Sequence, residues 1–392
     1  MRAYLDHAAT SPMPEPVRAA YLEALRFVGN PASTHGHGQQ ASAVLESARE
    51  RIAGSLGCDA AEVTLTSGGT EAINLALKGI YWARQRDAAR PVVLVPEAEH
   101  HATLDAAAWL RDAQGAEVHW LPVDREAVLH PSVLAAAIAR AGASRVALAT
   151  ALWANNEVGS VQPVAELARV CRDAGVPLHV DAVAALGQVP LDVHTAGVSA
   201  LSVSAHKIGG PVGVGALVLA RHVEAEPLLH GGAQQRARSG TQNVAGAVAF
   251  ATALEFAARD PSTIEARRAR LAERQGRLIR GVQERVPDAV LRGAEPGPGR
   301  LAGNVHVTFP GCRGDALVLL LDAAGVSVSV GSACQAGVPE VSHVLLAMGL
   351  DEEVASGALR FTFGPDTSNA EIDRLLHALP DAIARARAAG VR

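Results

Sequence analysis

The sequence lacks the features that mark several protein classes. It has only four cysteines in 392 residues and no C-x-x-C pair, which argues against a disulfide framework and against a structural zinc site. Its formal net charge of -5 gives no support to binding of nucleic acid or of an anionic membrane. We therefore expect a small-molecule substrate, no nucleic-acid partner and no metal.

Long apolar runs are also missing. Apolar residues make up 49% of the chain, but charged residues or glycines interrupt every run before it reaches the length of a membrane span, about 20 residues. The N-terminus, "MRAYLDHAATSPMP", has no basic region followed by an apolar core, so no signal peptide is predicted. We expect a soluble, cytoplasmic protein without a membrane partner.

What is present is a regular alternation of two patterns. From about residue 60 to 220, short β-branched runs such as "PVVLVPEAEH" and "VPLHVDAVAA" alternate with longer helical patterns rich in alanine and leucine. This alternation predicts an α/β fold with a mostly parallel, doubly wound sheet. A long charged helix at 262–286 and strands at "AGNVHVTF" and "VSVSVGSA" then predict a smaller α+β domain, and the Gly/Pro-rich segment 292–303 is predicted to be a surface loop.

Two charged residues follow successive predicted strands. Asp181 ends the apolar run "PLHVD", and Lys207 follows "ALSVSAH", with Ser204 and His206 beside it. Ligands of open α/β sheets bind where the strands end, so both side chains are expected in one crevice. Asp181 alone could equally cap the next helix. Together, an acid for a pyridinium N–H and a secluded lysine for an imine match the needs of pyridoxal phosphate.

A third strand end supplies a candidate phosphate site. The stretch "TLTSGGTEAINLALKG" runs from a strand through Gly69 and Thr70 directly into a helical pattern. Glycine lets a backbone approach an anion, and the free N–H groups of a helix start can bind it. The alternative is an ordinary strand-to-helix turn in which threonine caps the helix.

The remaining candidates lie in loops or at strand ends. His100 can stack on a flat ring and move protons, Asn155 can hydrogen-bond a phenolic oxygen, and Arg360 can receive an amino-acid carboxylate. The alternatives are a satisfied polar loop residue for the first two and a structural ion pair for Arg360. Cys334, in the glycine-flanked stretch "GSACQAG", is favoured as a nucleophile over the other three cysteines, which are expected to be inert.

These stretches, with others such as "WANNEVGSVQP" and "HGGAQQRARSGT", resemble the pyridoxal-phosphate-dependent cysteine desulfurases of the NifS and IscS type, within the class-V aminotransferase family. The resemblance covers nearly the whole chain. It implies the aspartate aminotransferase-like fold, with a large domain at 14–256 and a small domain formed by 1–13 and 257–392. The small domain would carry the cysteine loop at about 327–340, and the protein would be a homodimer with active sites shared between subunits.

The resemblance also implies a role for each candidate residue. Lys207 would form the imine with the cofactor, Asp181 would pair with the ring nitrogen, and His100 would stack on the ring and shuttle protons. Asn155 and Arg360 would bind the substrate carboxylate, with Asn155 also near the phenolic oxygen. The phosphate ligands would be Gly69, Thr70, Ser204 and His206, joined by Thr241 of the partner subunit.

The activity implied is conversion of L-cysteine to L-alanine. Cys334 would take the sulfur as a persulfide and pass it to an acceptor protein, such as an iron–sulfur cluster scaffold or a tRNA-thiolation enzyme. One departure stands out: where the family commonly has a glutamine three residues after the aspartate, this chain has Ala184. The alternatives that remain are a selenocysteine lyase, an aminotransferase of the same fold, and a sulfur-relay paralogue with impaired catalysis.

Overall fold

The computed structural model describes residues 2–258, 261–331 and 341–390, so Cys334 lies outside the described residues. Its strands come in a large group within the first 220 residues and a smaller group that joins both ends of the chain. In chain order they are β1 Ala3–Tyr4, β2 Val63–Thr66, β3 Val92–Pro96, β4 Glu117–Leu121, β5 Val146–Leu152, β6 Leu178–Asp181, β7 Ala200–Ser204, β8 Gly215–Leu219, β9 Val290–Arg292, β10 Asn304–Thr308, β11 Val326–Ser327 and β12 Ala358–Thr362.

Helices separate most of the strands. In chain order they are α1 Glu15–Ala24, α2 Gly36–Leu56, α3 Gly69–Asn74, α4 Ile80–Arg84, α5 His101–Gln114, α6 Pro131–Ala141, α7 Val164–Asp173, α8 Val193–Ala196, α9 Val244–Ala258, α10 Pro261–Arg285, α11 Gly314–Ala323, α12 His343–Ala347, α13 Glu352–Ser356 and α14 Asn369–Gly390. A π-helical turn, Leu75–Gly79, joins α3 to α4.

The central sheet has seven strands in the order β2-β8-β7-β6-β5-β3-β4. The strands from β3 to β7 pair in parallel, and only β8 runs antiparallel to its two neighbours. Helices α2, α6, α7 and α9 pack on one face, and α3 to α5 pack on the other. Coverage of both faces explains why the inner strands are buried along their whole length and mostly apolar, and it confirms the predicted α/β class.

A smaller unit joins the two ends of the chain. Strands β12, β10 and β9 form an antiparallel sheet, and β1 pairs in parallel with β11. Their apolar residues pack with α10, α11 and α14 in a core that contains Leu5 as well as Phe361. The N-terminal residues therefore pack with the C-terminal third. The domain boundaries given above stay a prediction.

Two local expectations held only in part. The alternating stretch "VSVSVGSA" forms only the two-residue strand β11, followed by a single bridge from Ser329 to Arg360, with Ser332 and Ala333 outside the described residues. The segment 292–303 is an exposed loop at 295–299, but Arg300 within it is fully buried. The guanidinium of Arg300 donates to the backbone oxygens of Arg292 and Ala294, so it closes the loop around a buried side chain.

Candidate active site

A cavity of about 390 Å³ lies at the carboxyl ends of the central strands. Asp181 is the last residue of β6, and Lys207 lies in a short 3-10 turn directly after β7. Because these strands are parallel neighbours, both side chains reach the same cavity, as predicted. The predicted residues that line it are Gly69, Thr70, His100, Asp181, Ser204, His206, Lys207 and Arg360.

Lys207 is held by backbone oxygens of the N-terminal segment. Its ammonium group donates to the carbonyl oxygens of Ala8 at 2.5 Å and Ala9 at 3.1 Å. Burial, and then the positive charge of Arg360, lowers the pKa of Lys207 to about 8. A substantial fraction of this lysine is therefore neutral near physiological pH, which is the form that attacks a carbonyl carbon.

Asp181 is a buried carboxylate deep in the same cavity. Its Oδ1 accepts a hydrogen bond from the Val183 backbone at 2.9 Å, so the carboxyl group is fixed in orientation. Burial raises the pKa of Asp181 to about 6, although the charge of Lys207 acts in the opposite direction. A carboxylate that is costly to ionise favours a cationic N–H partner, which would remove that cost.

The turn from β2 into α3 is shaped for an anion. The residue that caps α3 is Gly68, with no side-chain hydrogen bond, so the alternative of a threonine cap is wrong. A Cβ on Gly69 would lie 2.7 Å from a methyl carbon of Val183, so only glycine fits. The hydroxyl of Ser204 is buried beside this turn and has no hydrogen-bond partner among the described residues. An unsatisfied hydroxyl next to free helix N–H groups is what a bound phosphate would satisfy.

Two histidines of the cavity are neutral. His100 caps α5, and its Nδ1 accepts from the Ala102 backbone at 3.1 Å, which leaves the proton of the neutral ring on Nε2. Burial, followed by the charge of Lys207, lowers the pKa of His100 to about 4 and that of His206 to about 4. Both rings can therefore face a cofactor or substrate without adding positive charge.

Arg360 lies on β12 and reaches the cavity from the small unit. It forms an ion pair with Asp6 at 2.9 Å and donates to the Asn156 carbonyl oxygen at 3.0 Å. The structural ion pair considered in the sequence is thus present. The Nε of Arg360 is buried without a partner in the part of the chain that the structure describes, and binding of a substrate carboxylate stays a prediction.

Two predicted residues, Asn155 and Thr241, do not line this cavity, and a third is not among the described residues. Asn155 is buried beside it, and its amide oxygen accepts from the backbones of Glu157 and Val158, while its amide nitrogen donates to Ala98. Thr241 is exposed in the loop before α9, away from the lining of the cavity. Cys334 lies outside the described residues. Their proposed roles stay predictions.

Sequence reasoning missed a second group of polar residues in the cavity. His101 and His343 have ring centroids 4.7 Å apart, and His343 donates to the backbone oxygen of Glu99 at 2.8 Å. Glu99 is fully buried, and burial raises its pKa to about 8. The doubled histidine "EHH" signalled His101, but nothing local marks His343, which is more than 200 residues away.

The structure also shows the surroundings of Ala184, the position at which the family commonly has a glutamine. Ala184 lines the cavity, and so does Gln188, one helical turn later. The side-chain oxygen of Gln188 is buried and has no hydrogen-bond partner within the described ranges. A glutamine therefore remains at this wall, displaced by four positions from the one that the resemblance implies.

No helix in the described ranges combines the length and the apolar character that a bilayer crossing requires. This finding agrees with the interrupted apolar runs of the sequence.

Comparisons with known proteins agree on one family. A family model described as "Aminotransferase class-V" matches residues 3–375. The chain is 50% identical over 394 aligned positions to the "IscS-like cysteine desulfurase" of Mycobacterium tuberculosis, covering 99% of this chain and 98% of that protein. Among solved structures, a "NIFS-LIKE PROTEIN" superimposes with a TM-score of 0.88 at 32% identity, covering 98% of this chain and 100% of the other. A structure titled "SspA in complex with cysteine" gives a TM-score of 0.78 at 27% identity, covering 93% and 100%.

Proposed function

The chain belongs to the class-V aminotransferase family, and on that premise we propose that it is a pyridoxal-phosphate-dependent cysteine desulfurase. It converts L-cysteine to L-alanine and passes the sulfur to an acceptor protein. The full-length similarity to a cysteine desulfurase at 50% identity supports this activity. The observation that carries it in the structure is the cavity in which a lysine with a lowered pKa and a buried aspartate lie beside an unsatisfied anion site.

The residues of the cavity fit pyridoxal phosphate. The unpartnered Ser204 hydroxyl, the helix start at Gly69 and the side chain of Thr70 provide a phosphate site, next to the neutral His206. Asp181 would pair with the pyridine nitrogen, and Lys207 would provide the amine for covalent attachment. When bound, the cofactor withdraws electrons from the amino acid and so allows bonds at its α and β carbons to break.

Protons are handled by two buried residues whose pKa values are lowered, His100 and Lys207. His100 holds its proton on Nε2, the ring nitrogen that its backbone contact leaves free. The Lys207 amine, with a pKa of about 8, is suited to exchange a proton with a substrate carbon. Burial of both groups excludes bulk water from that exchange.

In the proposed sulfur transfer, Cys334 is the nucleophile. Its thiolate attacks the substrate sulfur, a new S–S bond forms, and the bond between sulfur and Cβ breaks. The electron pair stays on Cβ, which takes up a proton and becomes the methyl group of alanine. The carbon is reduced and the sulfur is oxidised within one substrate, so no external oxidant is needed. An acceptor thiol then removes the outer sulfur.

Several further assignments belong to this proposal. Thr241, which is exposed and does not line the cavity of its own subunit, would complete the site of a second copy in a homodimer. The acceptor is a cluster scaffold or a thiolation enzyme, which connects the protein to iron–sulfur cluster biogenesis or tRNA thiolation. A cytoplasmic location follows from the reducing conditions that a persulfide donor needs.

The first test is alanine release from L-cysteine by the purified protein with pyridoxal phosphate and a thiol reductant. Cys334→Ala should abolish alanine formation, whereas Cys58→Ala, a half-buried cysteine outside the cavity, should behave as wild type. A keto acid in place of alanine would identify an aminotransferase. Activity on selenocysteine that survives Cys334→Ala, with none on cysteine, would identify a selenocysteine lyase, and no turnover at all would leave only the relay protein.

A further inference from the structure

A buried carboxylate, Glu157, lies between the two stretches of chain that flank residues 332–340. It is only 2% exposed, in the turn that follows β5. Its backbone N–H donates to the side-chain oxygen of Asn155 at 2.9 Å, and its carbonyl oxygen accepts from the side chain of Asn304 at 2.9 Å. Hydrogen bonds to both polar groups of its backbone therefore fix the position of Glu157.

The flank on the C-terminal side is Ser342. Its hydroxyl donates to Oε2 of Glu157 at 2.5 Å, and both side chains are buried. The same Ser342 oxygen accepts from the backbone of Leu345 at 3.2 Å and caps α12. Glu157 therefore fixes the start of the helix that carries His343, a residue of the cavity.

The flank on the N-terminal side is Gly331. A Cβ built on this residue would lie 3.5 Å from Oε2 of Glu157 and 3.3 Å from Nε2 of His306. Its φ of +91° also disfavours any other residue. The backbone at Gly331 thus lies near the carboxylate oxygen that binds Ser342, while its own hydrogen bonds go to Ser329 and Arg360.

The charge of Glu157 has counterparts in the same cluster. Arg360, whose positive charge opposes the effect of burial on the pKa of Glu157, donates weakly to the Gly331 carbonyl oxygen at 3.5 Å. His306 lies below Gly331, and both of its ring nitrogens are buried without partners in the described part of the chain. Removal of the carboxylate would leave the buried Ser342 hydroxyl without its acceptor and Arg360 with Asp6 as its carboxylate partner, so the Ser342 flank in particular depends on Glu157.

We propose that Glu157 is a positioning residue for sulfur transfer: through Ser342 it fixes the C-terminal end of the segment that contains Cys334, and it lies beside the other end at Gly331. The inference rests on the proposed function, because it assigns Cys334 the sulfur. Attack of a thiolate on sulfur requires close approach and alignment, and a misplacement of about 1 Å costs on the order of a hundredfold in rate. Glu157 acts through Ser342, so its loss should affect the sulfur step more than binding of the amino acid.

The experiment compares Glu157→Ala, Glu157→Gln and Ser342→Ala in the cofactor-loaded enzyme. Binding of L-cysteine is followed by the change in the visible absorbance of the cofactor, and persulfide on Cys334 by mass spectrometry after rapid quenching. We expect Glu157→Ala to form persulfide about ten- to a hundredfold more slowly, with the Kd for cysteine changed less than about threefold. Glu157→Gln keeps an acceptor for Ser342 and should lose less, and Ser342→Ala should add little to Glu157→Ala.

A second readout does not depend on activity. Hydrogen exchange of peptides that cover 326–331 and 341–347 should accelerate in Glu157→Ala and Ser342→Ala, and remain unchanged in Glu166→Ala, an exposed acidic residue of α7. The inference would be overturned if Glu157→Ala formed persulfide at the wild-type rate, if its hydrogen exchange were unchanged, or if cysteine affinity and persulfide rate fell equally.

If the wild type released no alanine, the proposed function would be overturned instead. Hydrogen exchange would then still test whether Glu157 fixes the position of Ser342.

Discussion

The cavity has two walls that differ in how their polar groups are satisfied. The sheet-edge wall consists of Gly69, Asp181, Ser204 and Lys207, at the ends of the central strands. Its charged groups have strongly shifted pKa values, and its serine hydroxyl has no partner within the described ranges. Such a wall is costly in the absence of a ligand, and a cofactor that supplies a phosphate and a cationic ring would remove the cost.

The inter-segment wall consists of the cavity residues Glu157, Gly331 and Arg360, together with Asp6, which pairs with Arg360. Here most polar groups bind one another, through the pair of Asp6 with Arg360 and the contact of Glu157 with Ser342. The comparison teaches that the first wall is built to bind a ligand, whereas the second holds the polypeptide together around it. The predictions below test that distinction.

The largest effect is expected at the lysine. Lys207→Ala should lower alanine formation by about a thousandfold or more, because the amine and its proton transfer are lost together. Since a buried, partly charged lysine is removed, the cofactor-free protein should unfold at the same or a higher temperature. Borohydride reduction followed by mass spectrometry should show covalently attached cofactor in the wild type and none in the variant. A labelled Lys207→Ala protein would contradict the assignment.

Asp181→Asn should separate activity from stability. We expect alanine formation to fall by about a hundredfold, because the amide cannot hold a cationic ring nitrogen. Burial raises the pKa of Asp181 to about 6, so the stability it contributes is present at low pH and lost as pH rises through 6. At pH 7.5 the cofactor-free variant should therefore be more stable than wild type by about 2–3 kcal/mol, and at pH 4 the two should converge. Urea unfolding at both pH values checks this, and equal stability at pH 7.5 would contradict it.

Asp6→Asn tests the inter-segment wall, where removal of a carboxylate should destabilise the protein, in contrast to Asp181→Asn. Removing the partner of a buried arginine should destabilise the protein by about 2–3 kcal/mol in urea unfolding, with or without cofactor. The matched control is Asp373→Asn, whose ion pair with Arg277 is about half exposed and should contribute less than about 1 kcal/mol. Equal stability of the two variants would contradict a stabilising role for the inter-segment wall.

The smallest effect is expected for two serines of one strand. Ser204→Ala should leave the unfolding free energy of the cofactor-free protein unchanged, because the Ser204 hydroxyl has no hydrogen-bond partner within the described residues. It should weaken pyridoxal phosphate binding several-fold, because the phosphate would lose a hydrogen bond from this hydroxyl. Ser202→Ala, which breaks a 2.8 Å hydrogen bond with the buried His179, should instead destabilise the protein by about 1 kcal/mol and leave cofactor affinity nearly unchanged. Equilibrium dialysis and urea unfolding distinguish the two, and destabilisation by Ser204→Ala would contradict the phosphate assignment.

The sequence predicted the sheet-edge wall well. Asp181, Ser204 and Lys207 follow apolar strands directly, and the parallel arrangement of those strands forces their ends to one edge. Local reasoning does not distinguish the cases where a residue could serve either its own turn or a distant partner. Asn155 fixes the turn that presents Glu157, a function that its position after a strand does not distinguish from cofactor binding.

By itself, the sequence determined the fold class, the strand ends that carry the lysine and the aspartate, and the family, because each depends on residues close together in the chain. Only the tertiary structure decided that Asp6 pairs with Arg360, that Ser342 binds Glu157 and that the rings of His343 and His101 meet edge-on. These contacts join residues 185 to 354 positions apart. They require both the pairing of β1 with β11 and the packing of the small unit against the central sheet, which no local pattern of side chains specifies.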